Sequence, residues 1–157
     1  MKGKNILVTG ATSGIGLACA QYLSEQGATI ILIARNEENL NKTSRKLSNK
    51  SYCYSYDLSN LENIEEIFEF CRAKGIKLDG MIHSAGISAE WPFRLKNTEL
   101  FNKTVTLHCF AFLELARGFC KHKYCNENSS IVAISSIASV LNDKGMGMYS
   151  ASKSALN

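Results

Sequence analysis

The sequence has little proline, no long apolar run and no regular cysteine pattern. Its 157 residues include one proline, Pro92, and six cysteines that are scattered along the chain. A membrane-spanning helix needs about 20 consecutive apolar residues, and a secretory signal peptide needs an apolar segment near the N-terminus. Neither pattern is present, so we expect a cytoplasmic protein with reduced thiols and no disulfide framework.

The chain also lacks the charge pattern of a nucleic-acid-binding protein. Its formal net charge is +4, with no basic tail and no interleaving of basic and aromatic residues. We therefore predict neither a nucleic-acid partner nor a membrane partner. One cluster, Cys120, His122 and Cys125, offers soft metal ligands, but no Cys-x-x-Cys pair and no obvious fourth ligand accompany it. We favour the alternative, a helix end that leads into a polar loop, and predict no metal site.

Short strand patterns alternate with longer helical patterns along the whole sequence. Strands are predicted at Asn5–Thr9, Thr29–Ala34, Ser51–Tyr56, Leu78–His83 and Ser129–Ser135, and helices at Gly14–Gln26, Glu37–Ser48, Leu61–Lys74 and Thr98–Lys121. The nearly unbroken apolar runs at 30–33 and 131–134 are typical of strands that are buried on both faces. The alternation predicts an α/β fold, a doubly wound parallel sheet with helices on both faces.

A glycine-rich turn follows the first predicted strand and precedes the first predicted helix. It reads Thr-Gly-Ala-Thr-Ser-Gly-Ile-Gly at positions 9–16. Gly10 permits a tight turn, Gly14 lets the backbone approach a pyrophosphate, and Gly16 allows the helix to pack closely on the strand. A phosphate would then lie against free N–H groups at the helix N-terminus. A glycine-rich turn without a ligand is the alternative, but the strand–turn–helix context favours a dinucleotide site.

Tyr149 and Lys153 are four residues apart, so they share one face of a predicted helix near the end of the sequence. An ammonium beside a phenol favours the phenolate, which makes the tyrosine a better general acid or base. By itself this spacing is more typical of a solvated helix face. Its significance therefore depends on the motifs elsewhere in the chain.

In this order and at this separation, the glycine turn and the Tyr-Ser-Ala-Ser-Lys motif at 149–153 resemble the short-chain dehydrogenase/reductase family. Two segments between them agree. The His-Ser-Ala-Gly motif at 83–86 resembles the family's Asn-Asn-Ala-Gly, and 131–136 resembles the strand that delivers its catalytic serine. The resemblance covers the whole chain and implies a Rossmann-type fold. It also implies an oxidoreductase that transfers hydride between a nicotinamide and a carbonyl or secondary alcohol.

The resemblance implies four catalytic residues. Tyr149 would protonate the substrate carbonyl oxygen, or remove the proton in reverse, while Lys153 would favour its ionisation and hold the nicotinamide ribose. Ser136, 13 residues before the tyrosine, would hydrogen-bond the substrate oxygen. The family's fourth residue is an asparagine that supports a proton-relay water, and Thr106 takes the matching place here. This departure leaves the relay open.

The resemblance also implies a cofactor site. The residues expected to form it are Gly10, Thr12, Ser13, Gly14, Ile15, Gly16, Arg35, Asp57, Leu58, Ser84, Ala85, Gly86, Tyr149 and Lys153. An acid at the end of the second strand would bind the ribose 2′-OH of NAD, whereas an arginine accommodates the 2′-phosphate of NADP. The sequence has Arg35 and no acid there, so NADP(H) is favoured and NAD(H) is the alternative. Asp57 is expected to contact the adenine, to cap the third helix, or to do both.

Members of the family usually continue beyond the equivalent of Asn157. We therefore expect residues 1–157 to form a single NAD(P)-binding domain, truncated after the fifth strand and lacking the usual C-terminal substrate-binding portion. Segments 90–93 and 142–148 are expected to border the active site. The resemblance implies a small carbonyl or alcohol substrate and a homodimer or homotetramer. A non-catalytic dinucleotide-binding module, or an inactive fragment of a longer dehydrogenase, is the alternative.

Overall fold

Five parallel strands form the sheet of this computed structural model, which describes residues 1–92 and 94–157. The strands are β1 (Asn5–Thr9), β2 (Thr29–Ala34), β3 (Ser51–Ser55), β4 (Leu78–His83) and β5 (Cys125–Ala133). Their order is β3-β2-β1-β4-β5, and every neighbouring pair is parallel. This order confirms the Rossmann-type, doubly wound sheet. Phe93, expected near the active site, lies outside the described residues.

Helices connect the strands close to the predicted positions. They are α1 (Gly14–Glu25), α2 (Glu37–Ser44), α3 (Glu65–Ala73), α4 (Thr98–Val105), α5 (Ala111–Phe119) and α6 (Gly147–Leu156). A π-helical turn at Thr106–Phe110 joins α4 to α5, and a 3-10 turn spans Ile137–Ser139. The predicted helix at 98–121 is therefore interrupted by a segment of wider period. α3 begins later than predicted because residues 58–59 and 62–64 form turns before it.

The burial of the two apolar strands differs. Residues 30–33 of β2 are all 0% exposed, as their unbroken apolar run predicts. In β5, however, Val132 is 49% exposed. β5 lies at the edge of the sheet, and Val132 lines an open groove together with Leu23 and Ile82. The expectation that 131–134 is buried on both faces is therefore wrong.

Alternate residues of the central strands face opposite sides of the sheet and build two cores. On one side, Leu7 belongs to a cluster with Phe68 of α3 and Leu115 of α5. On the other side, Val8 belongs to a cluster with Ala20 of α1. The helices thus cover both faces of the sheet, and the ends of its strands remain open for a site.

The part of the chain that the structure describes contains no helix that is long and apolar enough to cross a membrane. Within the same residues, no three His, Cys, Asp or Glu side chains gather to hold a metal ion. Cys120 and Cys125 are free thiols that follow the end of α5.

Candidate active site

A continuous crevice lies above the ends of β1 and β4, where the strand order reverses. Ligands of open α/β sheets bind at such a reversal. Two clefts meet there, a small cleft of about 240 Å³ that extends to the end of β2 and a large cleft of about 730 Å³ that extends to the end of β5. The two clefts form one crevice because Gly10, Ser13, Ala85, Gly86 and Ile87 line both.

The glycine turn between β1 and α1 is shaped by close backbone contacts. A Cβ atom on Gly16 would overlap the carbonyl oxygen of Gly10 and lie 3.1 Å from that of Thr9. A Cβ on Gly10 would lie 3.0 Å from the Cα and N atoms of Ala85. At Gly14 φ is +51° and the space is open. Gly16 lines neither cleft. Because it has no Cβ atom, it allows the first turn of α1 to pack closely against the end of β1.

The N-terminus of α1 opens into the crevice. Ser13 precedes the helix in an extended conformation and makes no side-chain capping bond to the described residues. The first turn of α1 carries no acidic side chain. Ser13, Gly14 and Ile15 line the large cleft, and Thr12 lines the small one. The N–H groups and the positive end of the helix dipole are therefore available to an anion.

Arg35, Asp57 and Leu58 line the small cleft at the ends of β2 and β3. Ser59 donates to the Asp57 carboxylate from its hydroxyl and, at 3.0 Å, from its N–H. These bonds, with the added effect of the Arg35 charge, hold the pKa of Asp57 below its ordinary value. The expected capping role of Asp57 is wrong, because α3 begins only at Glu65. The carboxylate instead closes a local turn at the edge of the cleft.

Tyr149 and Lys153 of α6 both line the large cleft. The Nζ atom of Lys153 lies 5.8 Å from the centre of the Tyr149 ring. It donates a hydrogen bond to the carbonyl of Ile134 at 2.8 Å, and burial lowers the pKa of Lys153. The lysine is thus fixed to the end of β5 beside the tyrosine.

Two serines that follow β5 line the same cleft. The Ser136 hydroxyl oxygen accepts from the N–H of Ala138 at 3.1 Å, at the start of the 3-10 turn, so its hydrogen is available to donate. The Ser135 hydroxyl is buried and has no partner among the residues that the structure describes. A buried polar group without a partner is costly, so a polar ligand in the cleft would stabilise Ser135.

The segment after β4 forms the floor between the two clefts. The N–H groups of Ser84 and Ala85 each donate to the Thr9 hydroxyl oxygen at 3.2 Å. The same hydroxyl hydrogen-bonds Nδ1 of His83 at 3.1 Å. The ends of β1 and β4 are therefore joined directly beneath the crevice, and Gly86 follows at the point where the clefts meet.

Thr106 does not reach the crevice, although it was expected to be catalytic. It begins the π turn and lines neither cleft, whereas His108 lines the large one. The sequence motif does not indicate His108 because it applies to a regular helix, whereas a π turn changes which residues face the site. The available signal was a polar residue between the apolar Leu107 and Cys109, since a buried histidine needs hydrogen-bond partners.

Two loops meet beside the large cleft. The N–H of Trp91 donates to the carbonyl of Gly145 at 2.8 Å. Asp143 and Met146 line the cleft itself. Segment 142–148 therefore borders the crevice, whereas Trp91 lines neither cleft and contacts this border at Gly145.

A family model described as short chain dehydrogenase matches residues 4–157. Among curated proteins, the chain is 33% identical over 157 residues to a 3-oxoacyl-[acyl-carrier-protein] reductase of Rickettsia felis, with 99% of this chain and 63% of that protein covered. The chain spans between 55% and 68% of the length of such relatives.

Solved structures share the fold. A protein of Shigella flexneri 2a described as a short chain dehydrogenase, complexed with NADP, has a TM-score of 0.90 and 27% identity, with 99% of this chain and 68% of that chain covered. An NAD+-bound xylitol dehydrogenase also has a TM-score of 0.90 and 27% identity, with 99% and 61% covered. Chains of this fold thus occur with either nicotinamide cofactor.

Proposed function

The chain belongs to the short-chain dehydrogenase family, and on this premise we propose that it is an NADP(H)-dependent oxidoreductase that interconverts a carbonyl and a secondary alcohol. One observation carries the proposal: the glycine turn, Ser136, Tyr149 and Lys153 border a single crevice. This arrangement supports dinucleotide binding along the crevice and proton transfer at the end near β5.

The residues of the crevice fit a dinucleotide. The open space over Gly14 and the N-terminus of α1 suit a pyrophosphate. In the small cleft, Asp57 would contact the adenine and Arg35 would contact a 2′-phosphate. The Ser135 hydroxyl, which has no partner among the described residues, and Lys153 suit the polar groups at the other end. When bound, the nicotinamide supplies or accepts the hydride.

The side chains of the large cleft would transfer the proton to or from the substrate oxygen. In the reducing direction, Tyr149 donates its phenolic proton to the substrate oxygen as the carbonyl carbon gains hydride, and a secondary alcohol results. Ser136 donates a hydrogen bond to the same oxygen, since its own oxygen already accepts from Ala138. Lys153, with its Nζ atom 5.8 Å from the centre of the Tyr149 ring, provides a positive charge beside the tyrosine that gives up its proton. In the oxidising direction each proton movement reverses.

We infer NADP(H) rather than NAD(H) from the end of β2. Arg35 lines the small cleft, where a guanidinium would pair with a 2′-phosphate. Its neighbours Ala34 and Asn36 provide no carboxylate for the 2′-OH of NAD. Because the related structures include an NADP complex and an NAD+ complex, the inference depends on these residues alone.

Titration calorimetry with NADP+ and NAD+ tests the cofactor preference. Arg35→Ala should weaken NADP+ binding about tenfold or more, because a charge-assisted bond is lost, and should leave NAD+ binding unchanged. Arg45→Ala, at the exposed end of α2, is the matched control. Equal losses for both nucleotides, or no loss for either, would contradict the preference for NADP.

Turnover is tested by following NADPH absorbance while the full-length gene product is offered a panel of ketones, aldehydes and thioester-linked oxoacyl compounds. We expect substrate-dependent oxidation of NADPH with at least one class of carbonyl. NADPH binding without turnover on any class would contradict the enzymatic proposal.

A second candidate is a dinucleotide-binding module without catalysis. One observation favours it: Thr106, the expected fourth catalytic residue, lines neither cleft. Tight NADP+ binding with no turnover by the full-length protein would support this candidate. Failure to bind any dinucleotide would contradict both candidates.

We also propose that the protein forms a homodimer or homotetramer. Phe110 and Leu113 are 49% and 58% exposed where the π turn leads into α5. Exposed apolar side chains grouped in this way support an interface. Light scattering on the purified protein should give the mass of a dimer or tetramer, and a monomer at all concentrations would contradict this proposal.

A further inference from the structure

His108 lies between the two parts of the crevice that the proposed reaction must hold together. It belongs to the π turn and is 1% exposed. Its Nε2 accepts a hydrogen bond from the N–H of Ile87 at 3.1 Å, and its Nδ1 bonds the hydroxyl of Ser152 at 2.8 Å. Ile87 lines both clefts, and Ser152 lies on α6 with Tyr149. The imidazole therefore connects the floor of the crevice to the helix that carries the tyrosine.

The hydrogen-bond partners of His108 fix its protonation state. The backbone N–H of Ile87 can only donate, so Nε2 carries no proton. The Ser152 hydroxyl donates its hydrogen to the carbonyl of Tyr149 at 2.7 Å, so its oxygen accepts from Nδ1. His108 is therefore neutral, with its proton on Nδ1. Burial lowers the pKa of His108 to about 4, and the charge of Lys153 acts in the same direction.

The ring of His108 also packs against both sides of the crevice. Its centre lies 5.5 Å from that of the Tyr149 ring, with the rings edge to face at 87°. A Cβ atom on Gly86 would lie 2.5 Å from Nε2, so the segment after β4 runs directly against the imidazole. The titratable groups near it are Tyr149 and Lys153 on α6 and His83 on β4. The imidazole ring therefore lies between Gly86 and Tyr149 and separates them by its own width.

A second neutral histidine holds the π turn in place. His83 Nε2 donates to the carbonyl of Leu107 at 3.1 Å, so the proton of His83 lies on Nε2. Its Nδ1 then accepts a hydrogen bond from the Thr9 hydroxyl, because the oxygen of that hydroxyl already accepts hydrogen bonds from two backbone N–H groups. Burial lowers the pKa of His83 to about 4. The turn that presents His108 is therefore tied to the end of β4.

We propose that His108 is a positioning residue for the dehydrogenase reaction, setting the distance between segment 85–87 and Tyr149. The inference rests on the proposed function. His108 acts through two hydrogen bonds with separate consequences. The bond to Ile87 holds the floor of the cofactor site, whereas the bond to Ser152 and the ring contact hold the tyrosine.

Two amide substitutions separate the hydrogen bonds of His108. The side-chain amide of glutamine extends to about the position of the imidazole Nε2. His108→Gln therefore keeps a hydrogen-bond acceptor for the N–H of Ile87 and loses the bond to Ser152. The shorter side-chain amide of asparagine extends to about the position of the imidazole Nδ1. His108→Asn therefore keeps a hydrogen-bond donor for Ser152 and leaves the N–H of Ile87 unpaired. In the full-length protein, we expect His108→Asn to weaken NADP+ binding about tenfold, and His108→Gln to lower kcat about tenfold with normal NADP+ binding.

Several results would overturn the inference. Equal changes of NADP+ Kd and of kcat in the two variants would give His108 a merely structural role. Nitrogen NMR of the wild-type imidazoles is an independent test, because a proton on Nε2 of His108 would contradict the hydrogen bonding described here. If wild type binds no dinucleotide, the proposed function fails. If wild type binds NADP+ and the two variants behave alike, only the positioning role fails.

Discussion

Replacing Gly16 by alanine should weaken dinucleotide binding while the protein remains folded. The added Cβ would overlap the carbonyl oxygen of Gly10 and lie 2.9 Å from its carbonyl carbon and 3.1 Å from the oxygen of Thr9. All three are backbone atoms, so the turn must move away from α1. Overpacking of this kind costs about 1–3 kcal/mol. If the turn holds a pyrophosphate, its displacement should weaken NADP+ binding by a comparable free energy, about 5- to 150-fold.

Gly75→Ala is the matched control for this experiment. Gly75 lies between α3 and the start of β4, whereas the crevice lies at the other end of β4. Its φ is +69°, and no atom of the described residues lies within 4 Å of an added Cβ. The left-handed backbone conformation alone should cost about 1–2 kcal/mol there. Urea denaturation should show similar losses of stability for the two variants, but calorimetry should show weaker NADP+ binding only for Gly16→Ala. Unchanged NADP+ affinity in Gly16→Ala, or an equal loss in Gly75→Ala, would refute the reasoning.

Two further predictions concern stability. Phe68 is fully buried, stacks on Tyr124 with 5.3 Å between ring centres, and should cost about 3–5 kcal/mol on replacement by alanine. The half-exposed Phe101 is its control, and similar losses in urea denaturation for both would contradict the core assignment. Burial lowers the pKa of His83 and of His108 to about 4. Below about pH 6.5 the unfolded chain therefore binds more protons than the folded chain, and the free energy of unfolding should fall as pH decreases from 6.5 toward 4. The loss by pH 5 should be on the order of 1–2 kcal/mol per histidine and smaller in His108→Gln, and a flat pH profile would be inconsistent with neutral buried histidines.

Local patterns were enough to predict most of the fold. The bounds of β1, β2 and β4 agree with the predicted strands because apolar runs there end at glycines or polar turns. β5 was predicted four residues short at its start, because residues 126–130 are polar. Cys125 nevertheless pairs with Leu78 of β4, and after a register shift the pairing resumes between Ser130 and Gly80. Backbone pairing at a sheet edge needs no apolar side chain, so periodicity does not reveal it.

The candidate site was predictable only where backbone geometry demands a residue type. The turn glycines stand out because a positive φ angle at Gly10, and close backbone contacts at both Gly10 and Gly16, exclude other residues. The arrangement around His108 depends on a π turn and on partners that lie far away in sequence, such as Ile87 and Ser152. No local pattern encodes those contacts, so the sequence motif indicates Thr106 and gives no indication of His108.

The central claim is that Tyr149 transfers the proton in a dinucleotide-dependent reaction. The most direct measurement compares NADPH turnover and NADP+ binding in the full-length protein for wild type, Tyr149→Phe and Tyr22→Phe. Tyr22 is the control because it is 63% exposed on α1. We expect Tyr149→Phe to lower kcat by about 100-fold or more with NADP+ binding unchanged, since general acid–base catalysis contributes that much, and Tyr22→Phe to behave as wild type. Equal turnover by Tyr149→Phe and wild type would contradict the account.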